Sequence, residues 1–131
     1  DKRSTTFYNE LSHTLLNIIS NSKDALVSSV NKNDRIIKII VNSKKNFVFI
    51  NIIDNGGGVP DDILPKIFEP YYTTKYKSAG TGIGLYMSKQ IIEKHLNGEI
   101  SCKNIKLEVN KKVFKGASFT ITIPIFEDKN E

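Results

Sequence analysis

The chain has 131 residues and a mass of 14.8 kDa, room for one core and too short for two domains of ordinary size. With 39% apolar residues, 25% charged residues and four prolines, it is neither a disordered segment nor a linker. Its most apolar run, Phe47 to Ile53, is interrupted by Asn51 and is far shorter than the roughly 20 residues that cross a bilayer, so no membrane insertion is expected.

The net charge of +5 raises nucleic acid as a partner, and the distribution of charge speaks against it. Residues 1–65 carry 8 basic and 7 acidic groups, residues 66–115 carry 10 and 4, and residues 116–131 carry 1 and 3. This is a broad bias without an arginine cluster, which suits a site for a polyanionic small molecule equally well. One cysteine, Cys102, and no secretory pattern point to a reducing, cytoplasmic setting. The start at Asp1 reads as a domain cut from a longer protein.

In chain order, Leu11, Leu15, Ile18, Ala25 and Leu26 recur at helical intervals between Phe7 and Val30, which predicts a long amphipathic helix ending at Asn31 or Asn33. Arg35–Asn42 and Asn46–Asp54 are rich in β-branched and aromatic residues and predict a hairpin turning at Ser43-Lys44-Lys45. Asn55 to Pro60 carries three glycines and a proline and is a loop. Asp61–Phe68 allows a short helix, Glu69–Thr81 is irregular, and Gly84 to about Leu96 returns to helical spacing until Asn97-Gly98 stops it. Strands follow at Glu99–Lys103 and Ser118–Ile125, joined by a basic, polar connection in which Lys111 and Lys112 read as solvated loop residues. Residues 1–6 and 127–131 are expected to fray, leaving a domain at 7–126. Without an alternating βαβ series, the fold class is α+β, a two-layer sandwich.

Three constellations carry chemistry. On the first helix, Glu10, His13, Asn17, Asn21 and Asp24 form a polar stripe opposite the apolar one. Solvated faces favour Lys, Glu and Gln, whereas asparagine is a poor helix former, so Asn17 and Asn21 at i and i+4 are candidate oxygen ligands for Mg²⁺. Asp54-Asn55-Gly56-Gly57-Gly58 places an acid at a strand end before a glycine run. The acid suits the exocyclic amine of a base such as adenine and the glycines a close approach, although a plain turn accounts for the same residues. Gly80-Thr81-Gly82-Ile83-Gly84 precedes a helix whose N–H groups can face phosphate, or is a hinge; it matches neither the P-loop nor the dinucleotide fingerprint. His13 and His95 read as surface residues, one cysteine and two distant histidines do not make a zinc site, and Cys102 reads as a small buried group in a strand.

Together with Phe68-Glu69-Pro70-Tyr71-Tyr72-Thr73-Thr74-Lys75, these segments resemble the catalytic ATP-binding domain of bacterial sensor histidine kinases, in the superfamily of Hsp90, type II topoisomerases and MutL. Asn17–Asn21 is similar to the N box, Asp54-x-Gly56-x-Gly58 to the G1 box, Phe68–Lys75 to the F box and Gly80-x-Gly82-x-Gly84 to the G2 box, while Gly116 to Pro124 is similar to the last strand. The resemblance implies a mixed, mainly antiparallel sheet of about five strands under three helices, with ATP between the helices and a mobile lid. It implies Asn21 as the Mg²⁺ ligand supported by Asn17, and Asp54 as the adenine acceptor beside Gly56 and Gly58. Gly80, Thr81, Gly82, Gly84 and Leu85 are implied around the phosphates, and Phe68 and Lys75 in the lid.

Two positions depart from common variants. Asp24 stands where many relatives have Lys or Arg, and Asn17 stands where the ATPase branches have a glutamate; an amide is no general base near pH 7. The implied partners are a dimerising helical hairpin that carries the phosphoacceptor histidine, outside this chain, and a response regulator. The alternatives are an anti-sigma-type serine/threonine kinase of the same superfamily, against which the long F box speaks, and a degenerate nucleotide-sensing module, against which the intact Asn21, Asp54 and glycines speak.

Overall fold

The computed structural model describes residues 2–70 and 84–125, with side chains from residue 6 onward. Helix α1 runs over Lys2–Ser29, and strands β1 (Ile37–Lys44) and β2 (Phe47–Asp54) follow a short 3₁₀ turn at Lys32–Asp34. A second 3₁₀ turn covers Leu64–Lys66, helix α2 covers Gly84–Gln90 and runs on as a π turn at Ile91–His95, and strands β3 (Glu99–Val109) and β4 (Lys112–Pro124) complete the chain.

Helix α1 starts at Lys2 rather than Phe7: Ser4, Thr5 and Thr6 are middling helix formers, and no glycine or proline interrupts them. The expected short helix at Asp61–Phe68 is reduced to a single 3₁₀ turn around Pro65. No helix among the described residues is long and apolar enough to cross a membrane.

The α+β sandwich is as expected. The sheet has the order β1-β2-β4-β3, and among the described residues it has four strands, all antiparallel, against the expected mixed sheet of about five. One face of the sheet carries Ile50 and Ile52 from β2, Ile100 from β3, and Ala117, Phe119, Ile121 and Ile123 from β4. These close a core with Ile18 of α1 and with Leu85, Ile92 and Leu96 of the α2 segment. Fully burying a side chain of this kind contributes about 1.5–3 kcal/mol, so this layer dominates stability. On the opposite face, the asparagine that interrupts the apolar run serves the sheet: Asn51 Nδ2 donates to Ser118 Oγ at 2.8 Å and to the Phe119 carbonyl at 2.9 Å across the β2–β4 seam.

The expected polar connection at 104–117 is instead continuous strand, paired from Glu99↔Thr122 to Val109↔Lys112. Ile105, Leu107 and Val109 alternate with Lys106 and Glu108, a period-two pattern that the lysine-rich composition obscures. Asn110 and Lys111 turn the hairpin with φ of 53° and 65°, the left-handed pair that a two-residue hairpin loop requires.

Lys112 is exposed as expected, but it opens β4 rather than lying in a loop. Its Nζ lies 2.9 Å from Asp34 Oδ2, and Asn110 Nδ2 donates to Asp34 Oδ1 at 2.9 Å, tying the hairpin tip to the turn after α1. The Asn110 hydrogen bond, and then Lys112, hold the Asp34 carboxyl below its ordinary value of 3.8. A lowered folded-state value means that the stabilisation is complete above the unfolded-state value and is lost as pH falls through the folded-state value. Asp34→Asn is therefore expected to melt below wild type at pH 7, with the gap closing as pH falls below about 4. Thermal melts across that range check this, and a gap independent of pH refutes it.

Candidate functional site

The polar stripe of α1 flanks its apolar face rather than opposing it, and it meets the second helical segment. Asn17 Nδ2 donates to the buried Ser88 Oγ at 3.5 Å, and the Glu10 carboxyl contacts His95 Nδ1. Glu10 and His95 are thus a contact between helices, while His13 is exposed. Asn21 and Asp24 are half-buried on the same stripe, and Asn21 makes no side-chain hydrogen bond to any described residue. The core-facing hydroxyls of Thr14 and Ser22 are buried without a partner among the described residues.

At the end of β2, Asp54 is 3% exposed, and its Oδ1 accepts the Gly56 N–H at 2.8 Å. This is the Asx turn that an aspartate before glycine favours. The turn presses on α1: a Cβ on Gly56 would lie 2.9 Å from Ala25 Cβ, and Ser29 Oγ donates to the Gly56 carbonyl at 2.9 Å. Asn55, read only as a spacer in the motif, is wholly buried. Its Oδ1 accepts the Ile36 N–H at 3.0 Å and its Nδ2 donates to the Asp34 carbonyl at 2.7 Å.

Gly58 has a φ of 73°, and a Cβ there would lie 2.8 Å from Asn104 Oδ1. The need for glycine at 56 and 58 therefore already arises from packing within the protein. Cys102 faces the same side of the sheet as Asp54. Burial, with the Asp54 charge adding to it, pushes its thiol up to about 12, so it stays protonated and unreactive near neutral pH.

Phe68 sits on the core, edge-on to Phe119 with ring centroids 6.3 Å apart, and Lys89 Nζ lies 5.4 Å from its ring centre. It anchors the point where the expected lid begins. Lys75, Gly80, Thr81 and Gly82 lie outside the described residues. Gly84 opens α2 with free space where a Cβ would be, whereas the Leu85 side chain is 4% exposed in the core, which leaves only its backbone N–H for a ligand.

The structure thus brings Asp54, Gly56, Asn17 and Asn21 together along one helix. Gly56 meets Ala25, and Asn21 and Asn17 lie one and two turns away, at about 6 Å of helix rise per four residues. Asn55 and Asn104, which fix the loop, escape a reading of the motif, because what identifies them is their bonding across the fold and not their spacing.

Comparison with known proteins fits this layout. The family model described as histidine kinase-, DNA gyrase B- and HSP90-like ATPase matches residues 8–127. Sporulation kinase E of Bacillus subtilis strain 168 is 34% identical over 123 residues, covering 94% of this chain and 15% of that protein. Sensor histidine kinase ZraS of Salmonella typhi is 36% identical over 115 residues, covering 88% and 22%. The chain therefore spans a small part of the curated relatives that it matches. Among solved structures, the nucleotide-free catalytic domain of histidine kinase ThkA aligns with a TM-score of 0.68 at 28% identity, over 88% of this chain and 67% of that one.

Proposed function

Because the chain belongs to the histidine kinase-, DNA gyrase B- and HSP90-like ATPase family, on its sensor histidine kinase branch, we propose that it binds Mg²⁺-ATP and donates the γ-phosphoryl group to a histidine. That histidine sits on a separate dimerising helical hairpin, which in turn serves a response regulator. The observation that carries this reading is the Asp54–Gly56 turn docked on α1 one turn from Asn21. In this reading Asp54, a buried acceptor, takes the exocyclic amine of adenine, and Asn21, about 6 Å of helix rise from the turn's contact at Ala25, offers its amide oxygen to a metal.

The residues present fit Mg²⁺. The Asn21 oxygen is a hard donor without a described protein partner, and the described residues hold no cluster of three or more His, Cys, Asp or Glu. A divalent ion here would draw most of its shell from phosphate and water, as Mg²⁺ does. When bound, the ion neutralises charge on the phosphates. Asn17, whose amide nitrogen points to Ser88, keeps its carbonyl oxygen for the same purpose. The N–H groups of Gly84 and Leu85, with Gly80, Thr81, Gly82 and Lys75, are assigned to the phosphates.

No general base stands at the Asn17 position, where a glutamate would activate water. Asn17 is an amide, and His95 is exposed and engaged with Glu10. Catalysis then consists of positioning and charge neutralisation. With radiolabelled ATP, the isolated chain is expected to turn over very slowly, and to label an added cognate hairpin with acid-labile, base-stable phosphate, a reaction that EDTA abolishes. Self-labelling, or hydrolysis by the chain alone as fast as transfer, overturns the proposal.

A further inference from the structure

We propose that Asn104, in the middle of β3, is a positioning residue for the nucleotide site, acting through the glycine loop; this rests on the nucleotide-binding reading above. Its side chain treats Val59 as a strand neighbour would. The Val59 N–H donates to Asn104 Oδ1 at 2.8 Å, and Asn104 Nδ2 donates to the Val59 carbonyl at 2.6 Å, with a longer contact of 3.3 Å to Asp61 Oδ1. One amide thus satisfies both backbone groups of a residue in a loop, a bidentate pairing whose geometry leaves Val59 little freedom.

The loop from Asp54 to Pro60 needs such a tether. Gly57 and Gly58 have φ of 100° and 73°, and consecutive glycines without a partner sample many conformations. The first half of the loop is held from two sides, by Ser29 Oγ on the Gly56 carbonyl at 2.9 Å and by the Gly57 N–H donating to the Lys115 carbonyl at 2.9 Å. Asn55 fixes its root on residues 34 and 36. The second half, Gly58 and Val59, has its only hydrogen-bond partner among the described residues in Asn104, while the Val59 side chain rests against the core. Gly58 is moulded to this contact, since a Cβ there would press on Asn104 Oδ1 at 2.8 Å. Among the described residues, the side-chain hydrogen bonds of Asn104 go to Val59 and Asp61 and to neither helix. Its effect on a ligand passes through the loop that begins at Asp54.

If the untethered loop spends only a tenth of its time in the bound geometry, apparent affinity falls tenfold while the bound complex is unchanged. For Asn104→Ala, the expected result in the hairpin-transfer assay is therefore a KM for ATP raised about tenfold with kcat within about twofold of wild type. Asn104→Asp keeps the shape and one acceptor but turns an oxygen toward the Val59 carbonyl and Asp61, and it is expected to raise KM at least as much.

A merely structural role would lower the melting temperature and the active fraction, which reduces kcat at constant KM. Unchanged KM in both variants, or loss of kcat alone, overturns the inference. If Asn104→Ala does not fold, the nearly isosteric Asn104→Asp decides, and failure of both to fold makes Asn104 a structural residue and overturns it as well. Wild type and Asp54→Asn measured alongside keep the two readings apart. A wild type that binds no ATP removes the nucleotide reading itself. A wild type that binds ATP, with Asp54→Asn impaired and Asn104 variants unimpaired, removes only the role of Asn104.

Discussion

Asp54→Asn is expected to fold as wild type and to lose roughly five- to 150-fold in affinity for ATP and ADP, the equivalent of about 1–3 kcal/mol. The substitution separates two jobs of one carboxyl. One oxygen accepts the Gly56 N–H at 2.8 Å and makes the turn, and an asparagine Oδ1 does the same. The second oxygen is the acceptor assigned to the exocyclic amine of adenine. Asparagine puts an NH₂ there, so two donors face each other in a site where the side chain is only 3% exposed and water cannot easily mediate. Calorimetric titration with ADP, alongside a thermal melt, is the check. Unchanged affinity in a normally folded variant would reduce Asp54 to a turn residue.

Gly116→Ala is expected to cost on the order of 4 kcal/mol, a large share of the 5–15 kcal/mol typical of a domain, and to lower Tm by about 10–20 °C. A Cβ at Gly116 would lie 1.8 Å from the Asp54 carbonyl oxygen and 3.1 Å from the Asn55 Cα, and a backbone carbonyl in a paired strand cannot step aside as a flexible side chain can. The same chemical change at Gly84, where nothing among the described residues lies within 4 Å, is the control and should leave Tm nearly unchanged. What relaxation the Gly116 variant achieves must displace Asp54, so its nucleotide affinity should fall too. A Tm within a few degrees of wild type refutes the packing argument.

Local patterning made α1 legible through the spacing of Leu11 to Leu26, and β2 legible to within one residue at its start. It also placed the stop after α2, where Asn97 takes a φ of 57° and the Gly98 N–H closes on the Ile92 carbonyl at 2.7 Å. It failed where composition and periodicity disagree: lysines at 103, 106, 111, 112 and 115 disguised a long hairpin as a loop. The polar stripe of α1 was visible as an angle on a helical projection, but that angle does not say which neighbour it meets. Ser88 and His95, more than 70 residues away, answer that. Asn55 and Asn104 were invisible for the same reason, since an asparagine that clamps a distant backbone looks like any polar residue until the fold brings its partners to it.

The sheet consists of two hairpins, each closed by a two-residue turn, joined along the β2–β4 seam. The hairpins are local, but the seam pairs Asp54 with Ala117. By loop-closure scaling at about 0.6 kcal/mol per doubling, joining such distant residues costs about 3 kcal/mol more chain entropy than closing either turn. The glycine loop leaves from one hairpin and is hung from the other, at Lys115 and Asn104. Its shape therefore belongs to neither half alone. The order of assembly follows: local hairpins come early, the seam comes late, and the loop takes its form only once the seam has closed. A chain that has built most of its secondary structure but not this last junction lacks the bonds that shape the glycine loop, so the loop's form is expected to arrive with the completion of folding.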